Sequence, residues 1–242
     1  MANVRVETFS SYAEMSQAAA ALFSHVAQTA VNERGRFLVA LAGGNTPRQL
    51  YQLLAQPPYK TTIPWAKTIL LWGDERLVPP DHPESNYKQV ADLLLAHVPI
   101  TPENVFRMKG ELPAETAVAD YTTQLKKLAE NGRNWPHLDL AIMGMGRDGH
   151  TASLFPGPIS PAETSQPVML ATAHYNGRPA HRITLTPLVF NDARHILFLV
   201  SGANKQATLQ QVLHGTYEPE KWPAQRITPK HGKLIWYIHP HN

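Results

Sequence analysis

The stretch LDLAIMGMGRDGHTASLFPG (residues 138–157) holds an apolar run that ends in G-x-G-x-x-G, with glycines at 144, 146 and 149. A short apolar run bounded by turn formers reads as a strand buried on both faces. The same glycine spacing opens a dinucleotide-binding βαβ unit, provided that a helix starts at the third glycine and an acidic residue ends the next strand. Neither condition is met. Only residues 150–155 separate Gly149 from Pro156, Pro158 and Pro161 follow, and the next apolar run, VMLATA, ends in His174. No nicotinamide or flavin is expected, and no other cofactor. What the glycines permit is a tight loop that presents His150 at the end of the strand. Imidazole can take and return a proton near neutrality at its ordinary pKa. The chain has twelve histidines, so the case for His150 rests on the loop that carries it.

Outward from this strand, elements alternate along the chain. Strands are expected at 4–9, 36–42, 67–72, 168–173, 182–186, 195–200 and 234–238. Between them lie helices ending near Gly35 and at 46–55, 85–97, 113–130 and 203–214. Ser11-x-x-Glu14 is a capping box for the first helix, and Pro47 fits the first turn of the second. Apolar runs interleaved with helices predict crossover connections and a mostly parallel sheet with helices on both faces. No stretch reads as an interdomain linker, so residues 1–242 are expected to form one domain.

Composition excludes several function classes. The chain of 242 residues has a formal charge of +3 without a clustered basic stripe, so no nucleic-acid surface is expected. It has no cysteine, which removes disulfides, thiolate metal sites and thiol nucleophiles. There is no H-E-x-x-H, and His239 and His241 read as a frayed tail, so no metal site is expected. The opening MANVRVETFS is polar and unlike a signal peptide, and every apolar run is too short to span a bilayer. A cytoplasmic protein, a monomer with no membrane partner, is the expectation.

Four apolar strands run into glycine and then into charged or hydroxyl residues: GGNTP (43–47), GDER (73–76), the 144–157 loop, and SGANK (201–205). In an open parallel sheet the carboxyl ends of strands share one edge, and ligands bind outside it. Gly43, Gly44, Asn45 and Thr46 precede a helix and form an anion pocket; without the lysine of a P-loop it suits a monophosphate. Lys205 adds a charge-assisted contact to the same group, or is a solvated helix-surface lysine. Arg182 is a third cation or a strand-edge charge. Asp74, Glu75 and Arg76 put both charge signs within reach of a ligand, or pair internally. Ser85 reads as an N-cap.

These residues resemble the 6-phosphogluconolactonase family. The resemblance is carried by LAGGNTPRQLY (41–51), WGDERLVPPDHPESNYK (72–88), the 138–157 segment and RITLTPLVFNDARHILFLVSGANKQATL (182–209). It implies a single-domain, Rossmann-like open sheet, mostly parallel, related to glucosamine-6-phosphate deaminases and ribose-5-phosphate isomerases. It also implies a small-molecule phosphosugar lactone, 6-phospho-D-glucono-1,5-lactone, hydrolysed without metal. His150 would be the general base toward water. Arg76 or loop N–H groups, those of Gly146 included, would stabilise the oxyanion. Asp74, or Asp148 if it does more than close the turn, would orient the histidine. The phosphate would sit at Gly44, Asn45 and Thr46, countered by Lys205 and Arg182. The related amino-sugar-phosphate deaminases carry a tyrosine where this chain has Arg76 and a glutamate where it has Phe155. A non-catalytic sugar-phosphate-binding module is a further alternative. The chain departs from the family's L-P-x-L-N pattern at TPLVFN (186–191), where the proline is shifted.

Overall fold

The first helix follows its local code closely. Ser11, in an extended conformation, accepts the Glu14 N–H at 3.1 Å and starts α1 (Tyr12–Arg34). Gly35, at φ +75°, ends the helix with its own N–H on the Val31 carbonyl. The computed structural model describes residues 3–130, 132–175 and 177–241; Met1 and Ala2, which begin the polar opening segment, lie outside the described residues. After β1 (Asn3–Thr8) and α1 come β2 (Phe37–Leu41), α2 (Arg48–Leu54), α3 (Tyr59–Thr62), β3 (Thr68–Trp72), β4 (Asp74–Arg76), α4 (Asn86–Leu93), β5 (Val105–Phe106) and α5 (Ala114–Leu128). The second half runs through β6 (Leu140–Gly144), α6 (Ala162–Ser165), β7 (Val168–Thr172), β8 (His181–Leu185), α7 (Pro187–Phe190), β9 (His195–Ser201), α8 (Gln206–His214) and β10 (Lys233–His239).

Seven strands form one parallel sheet in the order β1-β10-β9-β6-β2-β3-β5. All five residues of β2 are buried, as are four of five in β6, which is why these runs lack a polar alternation. Trp236 and Phe198, in register on β10 and β9, stack with ring centroids 3.9 Å apart. From β2 the chain builds outward through β3 and β5, then returns to lay β6 on the other side of β2 and continues through β9 and β10. The order therefore reverses between β2 and β6. Such a switch point opens a crevice outside the strands' carboxyl ends. The four strands whose loops drew attention in the sequence, β9, β6, β2 and β3, are contiguous there. No helix among the described residues is long and apolar enough to cross a membrane.

Three local expectations need correction. The segment 74–76 is a strand, not a loop, and β4, β8 and β7 form a separate antiparallel sheet in that order. The cause is non-local: Gly73 passes the chain out of β3 and its carbonyl takes the Leu185 N–H at 2.8 Å, seeding the pairing with β8. The helix expected at 85–97 stops at Leu93 and is followed by a 3₁₀ turn, Leu95–His97. At 203–214, the first three residues are likewise a 3₁₀ turn. The shifted proline has a simple place, since Pro187 is the first residue of α7, where a missing N–H costs nothing.

Two tyrosines hold the strand ends that border the crevice. The Tyr51 hydroxyl donates to the Ala42 carbonyl (2.6 Å) and accepts the Ala42 N–H (3.1 Å), just beyond β2. The Tyr121 hydroxyl does the same for Trp72, the last residue of β3, at 3.0 and 2.9 Å. Both side chains are fully buried, so their removal strands a backbone donor and acceptor away from water. Tyr51→Phe and Tyr121→Phe should each lower stability by about 1–3 kcal/mol. The check is a denaturant midpoint that falls with an unchanged m-value.

Candidate active site

The glycines of the 144–157 loop have separate duties. A Cβ at Gly146 would lie 2.1 Å from Nδ1 of His150 and 2.6 Å from Oδ1 of Asp148, so the imidazole–carboxylate pair occupies the space a side chain would need. Gly149 adopts φ +78°, a turn conformation that favours glycine. A Cβ at Gly144 would meet nothing within 4 Å. No helix follows the third glycine; the chain instead closes a tight turn, with the Gly146 N–H on the His150 carbonyl at 2.9 Å. The motif holds a histidine.

His150 Nδ1 lies 2.6 Å from Asp148 Oδ1. Because a carboxylate only accepts, Nδ1 carries the proton and the lone pair is left on Nε2. Burial pushes the Asp148 carboxyl up, but the hydrogen bond and charge of His150, joined by the Tyr175 hydroxyl, hold it well below the usual carboxylate range. Tyr175 donates to Asp148 Oδ2 at 2.6 Å, and its oxygen lies 2.9 Å from His150 Nδ1. Burial and the adjacent Asp148 raise the Tyr175 phenol, so it stays a donor. The rings of Phe155 and Tyr175 flank the imidazole at 5.4 and 5.7 Å.

Asp74 and Glu75 do not touch this pair. Asp74 is buried and accepts from Ser153 Oγ at 2.6 Å and Asn86 Nδ2 at 3.2 Å. It therefore ties β4 to the histidine loop without bonding to His150; Asp148 is the carboxylate that orients the ring. Glu75 accepts the N–H groups of Arg76, Asn86 and Tyr87 and the Ser85 hydroxyl. Burial raises its carboxyl despite these four bonds. Ser85 caps α4 by accepting the Lys88 N–H at 3.1 Å, as its sequence context suggests.

Arg76 and Arg182 are directly opposite each other in the antiparallel β4–β8 pair. Side chains so placed share a face, and like charges there repel. Arg76 binds the Glu84 carbonyl and pairs with its carboxylate at 3.5 Å. Arg182 is almost fully buried and donates to the Pro179 carbonyl at 3.3 Å; Nε of both arginines is buried without a partner among the described residues. Burial and then the Arg76 charge pull the Arg182 guanidinium down, against the pull of Asp74. Arg76 thus has one carboxylate partner, and Arg182 has none among the described residues.

The 43–47 loop supplies donors nearby. Its carbonyls are occupied, Gly44's by Gln89 at 2.8 Å and Thr46's by the Tyr12 hydroxyl at 2.8 Å. The N–H groups of Gly44, Asn45 and Thr46 go to no acceptor among the described residues. Gly43 makes room for Asn86: a Cβ would fall 1.8 Å from its Oδ1. Lys205 is the N-cap residue of α8, beyond β9, and burial and then the neighbouring Arg147 lower its ammonium. Sequence reasoning passed over Tyr175, Ser153 and Asn86. The last two stand inside quoted motifs, whereas Tyr175 lies in a polar loop with no periodicity to mark it.

A parallel sheet whose order reverses between β2 and β6, with no helix on the glycine motif, defines an open α/β protein with a crevice at its switch point. Residues 10–236 match the family model described as glucosamine-6-phosphate isomerases/6-phosphogluconolactonase, and the chain belongs to that family. A protein named 6-phosphogluconolactonase from Synechocystis is 38% identical over 217 residues, which cover 86% of this chain and 84% of that one. The solved 6-phosphogluconolactonase of Thermotoga maritima superposes with a TM-score of 0.83 at 27% identity, over 98% of this chain and all of that one. A monomeric glucosamine-6-phosphate deaminase also reaches 0.83, at 21% identity and 97% coverage of each chain, a likeness of fold alone.

Gly146→Ala should lower kcat by about 10²-fold, the cost of a catalytic group displaced by about 1 Å. Gly144→Ala should leave it within a few-fold. Equal effects of the two substitutions, with both proteins folded by circular dichroism, would contradict the assignment of Gly146 to His150.

Proposed function

We propose that the chain hydrolyses 6-phospho-D-glucono-1,5-lactone to 6-phospho-D-gluconate. The observation that carries this reading is the His150–Asp148 pair seated on Gly146, with Nε2 left free as a base and Phe155 beside it. A lactone needs only an aligned water, a base and a place for negative charge. His150 Nε2 takes a proton as water adds to C1. The carbonyl π electrons move onto oxygen, and Arg76 stabilises that oxyanion; the Gly146 N–H, expected from the sequence to share this role, is held by the His150 carbonyl instead. Collapse reforms the carbonyl and breaks the C1–ring oxygen bond, and the imidazolium returns its proton to the departing oxygen. Asp148 orients the imidazole and stabilises its charged form; Tyr175 fixes Asp148.

The phosphate sits on the N–H groups of Gly44, Asn45 and Thr46, with Lys205 and Arg182 countering its charge. Negative charge between Arg76 and Arg182 relieves their cross-strand repulsion, which supports their place beside the ligand. Asp74 positions the histidine loop through Ser153. As every proposed site residue comes from a single chain, the reading requires no partner subunit, and the substrate is a small molecule, not a nucleic acid. In the deaminase alternative the position of Phe155 would hold a carboxylate; here it holds a hydrocarbon ring.

His150→Ala should cut the enzymatic rate by about 10²–10⁴-fold in a pH-stat assay corrected for spontaneous opening, with substrate-analogue binding retained. Unchanged turnover would remove His150 from the mechanism, and ammonia release from glucosamine 6-phosphate would favour the deaminase reading. Lys205→Ala should raise KM for the phosphorylated lactone and leave the unphosphorylated lactone unaffected, because the contact is made equally in ground and transition states. Equal losses with both substrates would remove the phosphate from Lys205.

A further inference from the structure

At the opposite, amino edge of the sheet, a cleft of about 360 Å³ lies between α1 and the starts of β9 and β10. Its volume is in the range of small-molecule sites. Four of the chain's twelve histidines line it, His25, His137, His195 and His231, together with Arg194 and Lys233. β9 runs for seven residues between this edge and the crevice, which separates the two by roughly 20 Å.

The cations here outnumber the acceptors available to them. Asp139 is already engaged by the Leu38 N–H at 2.9 Å and by Arg34 at 3.0 Å. Glu33 is paired with Arg34. Arg194 Nε approaches Asp139 to 3.4 Å but makes no hydrogen bond, and it is buried. Arg194 thus shares with Arg34 the single carboxylate of Asp139 and makes no side-chain hydrogen bond among the described residues, and the Lys233 ammonium has neither an ion pair nor a hydrogen bond there. The same holds for the rings of His25, His137 and His231. His195 gives Nδ1 to the Asp139 carbonyl at 3.0 Å and has Nε2 free. No group of three or more acidic, histidine or cysteine side chains among the described residues is arranged to hold a metal ion. Unmatched donors of one charge sign, gathered in a concave site, call for an anion with several acceptor oxygens.

We propose that this cleft is a second ligand site, which takes a compact anion of the phosphate class through Arg194, Lys233 and the surrounding imidazoles. Its affinity rises as pH falls. Burial and then the Arg194 charge hold the His137 imidazole down, with Arg133 adding to them and Asp192 and Asp139 opposing. Burial, Lys233 and His25 hold down His195, against its bond to the Asp139 carbonyl and that residue's charge. An anion stabilises the charged imidazoles, so binding takes up protons and weakens once they are neutral. The inference does not rest on the lactonase reading, since the residues are different and the edge is the other one.

The test is a titration of the intact chain with sulfate, whose charge is constant between pH 6 and 8, followed through the imidazole proton resonances. Saturable shifts of His137, His195 and His231 are expected, at least several-fold tighter at pH 6. They should persist in Lys205→Ala and weaken about tenfold in the double variant Lys233→Gln/His231→Gln. Both of those positions are exposed, so the fold is kept. Parallel titrations with pyrophosphate and with glycerol 1-phosphate decide whether the free anion or a monoester is preferred. Shifts that never saturate, that ignore the double variant, or that vanish in Lys205→Ala would each overturn the proposal.

Discussion

The imidazole of His150 occupies volume that a side chain at position 146 would need, and the rest of the crevice is arranged around that fit. A histidine held only by solvent would sample several rotamers and both tautomers. Here the backbone of Gly146 lies against one side of the ring, Asp148 fixes Nδ1 at 2.6 Å, and Tyr175 fixes Asp148 in turn. The glycine pattern resembles a nucleotide loop only in spacing. In a nucleotide loop a missing side chain lets phosphate approach the backbone; in this loop the room is taken by the protein's own ring.

Around that ring, rigidity comes from buried polar groups that bond across elements. Asp74 links β4 to the histidine loop through Ser153, and Glu75 collects the N–H groups at the start of α4. Farther along the same loop, Arg226 reaches the carbonyls of Phe155 and Gly157 while pairing with Glu163 at 2.8 Å, both side chains almost entirely buried. Such a pair is a weak source of net stability but a strict one geometrically, because losing either partner leaves a charge without water. In the β4–β8 pair, Arg76 and Arg182 each keep a buried Nε without a partner among the described residues. Incomplete partnership at a ligand edge is where binding energy remains to be gained.

The central sheet was legible because a strand covered on both faces leaves an apolar run that needs no knowledge of its neighbours. The histidine loop was legible too, from the prolines that forbid a helix after Gly149. The second sheet was not. Its β7 and β8 pair locally, but β4 joins them across more than a hundred residues, Asp74 opposite Thr184, and no local pattern encodes such a partner. The same limit explains why Asp74 was read as a candidate to orient His150. In sequence it stands in a conspicuous acidic motif, whereas only the fold reveals that Ser153 and Asn86 claim both of its oxygens. Tyr175 was invisible for a related reason, since its meaning lies in the distance from its hydroxyl to residue 148.

The tyrosine hydroxyls that close the ends of β2 and β3 each donate and accept at one residue, which only a neutral phenol can do. Burial raises both phenols above the value of about 10 they would have in an unfolded chain. Below that value both states carry the proton and the two clamps count in full. Above it the unfolded chain gains by releasing protons that the folded one must keep, so stability declines as alkalinity increases. The two residues that hold these strand ends thereby contribute to the loss of the folded state in alkali.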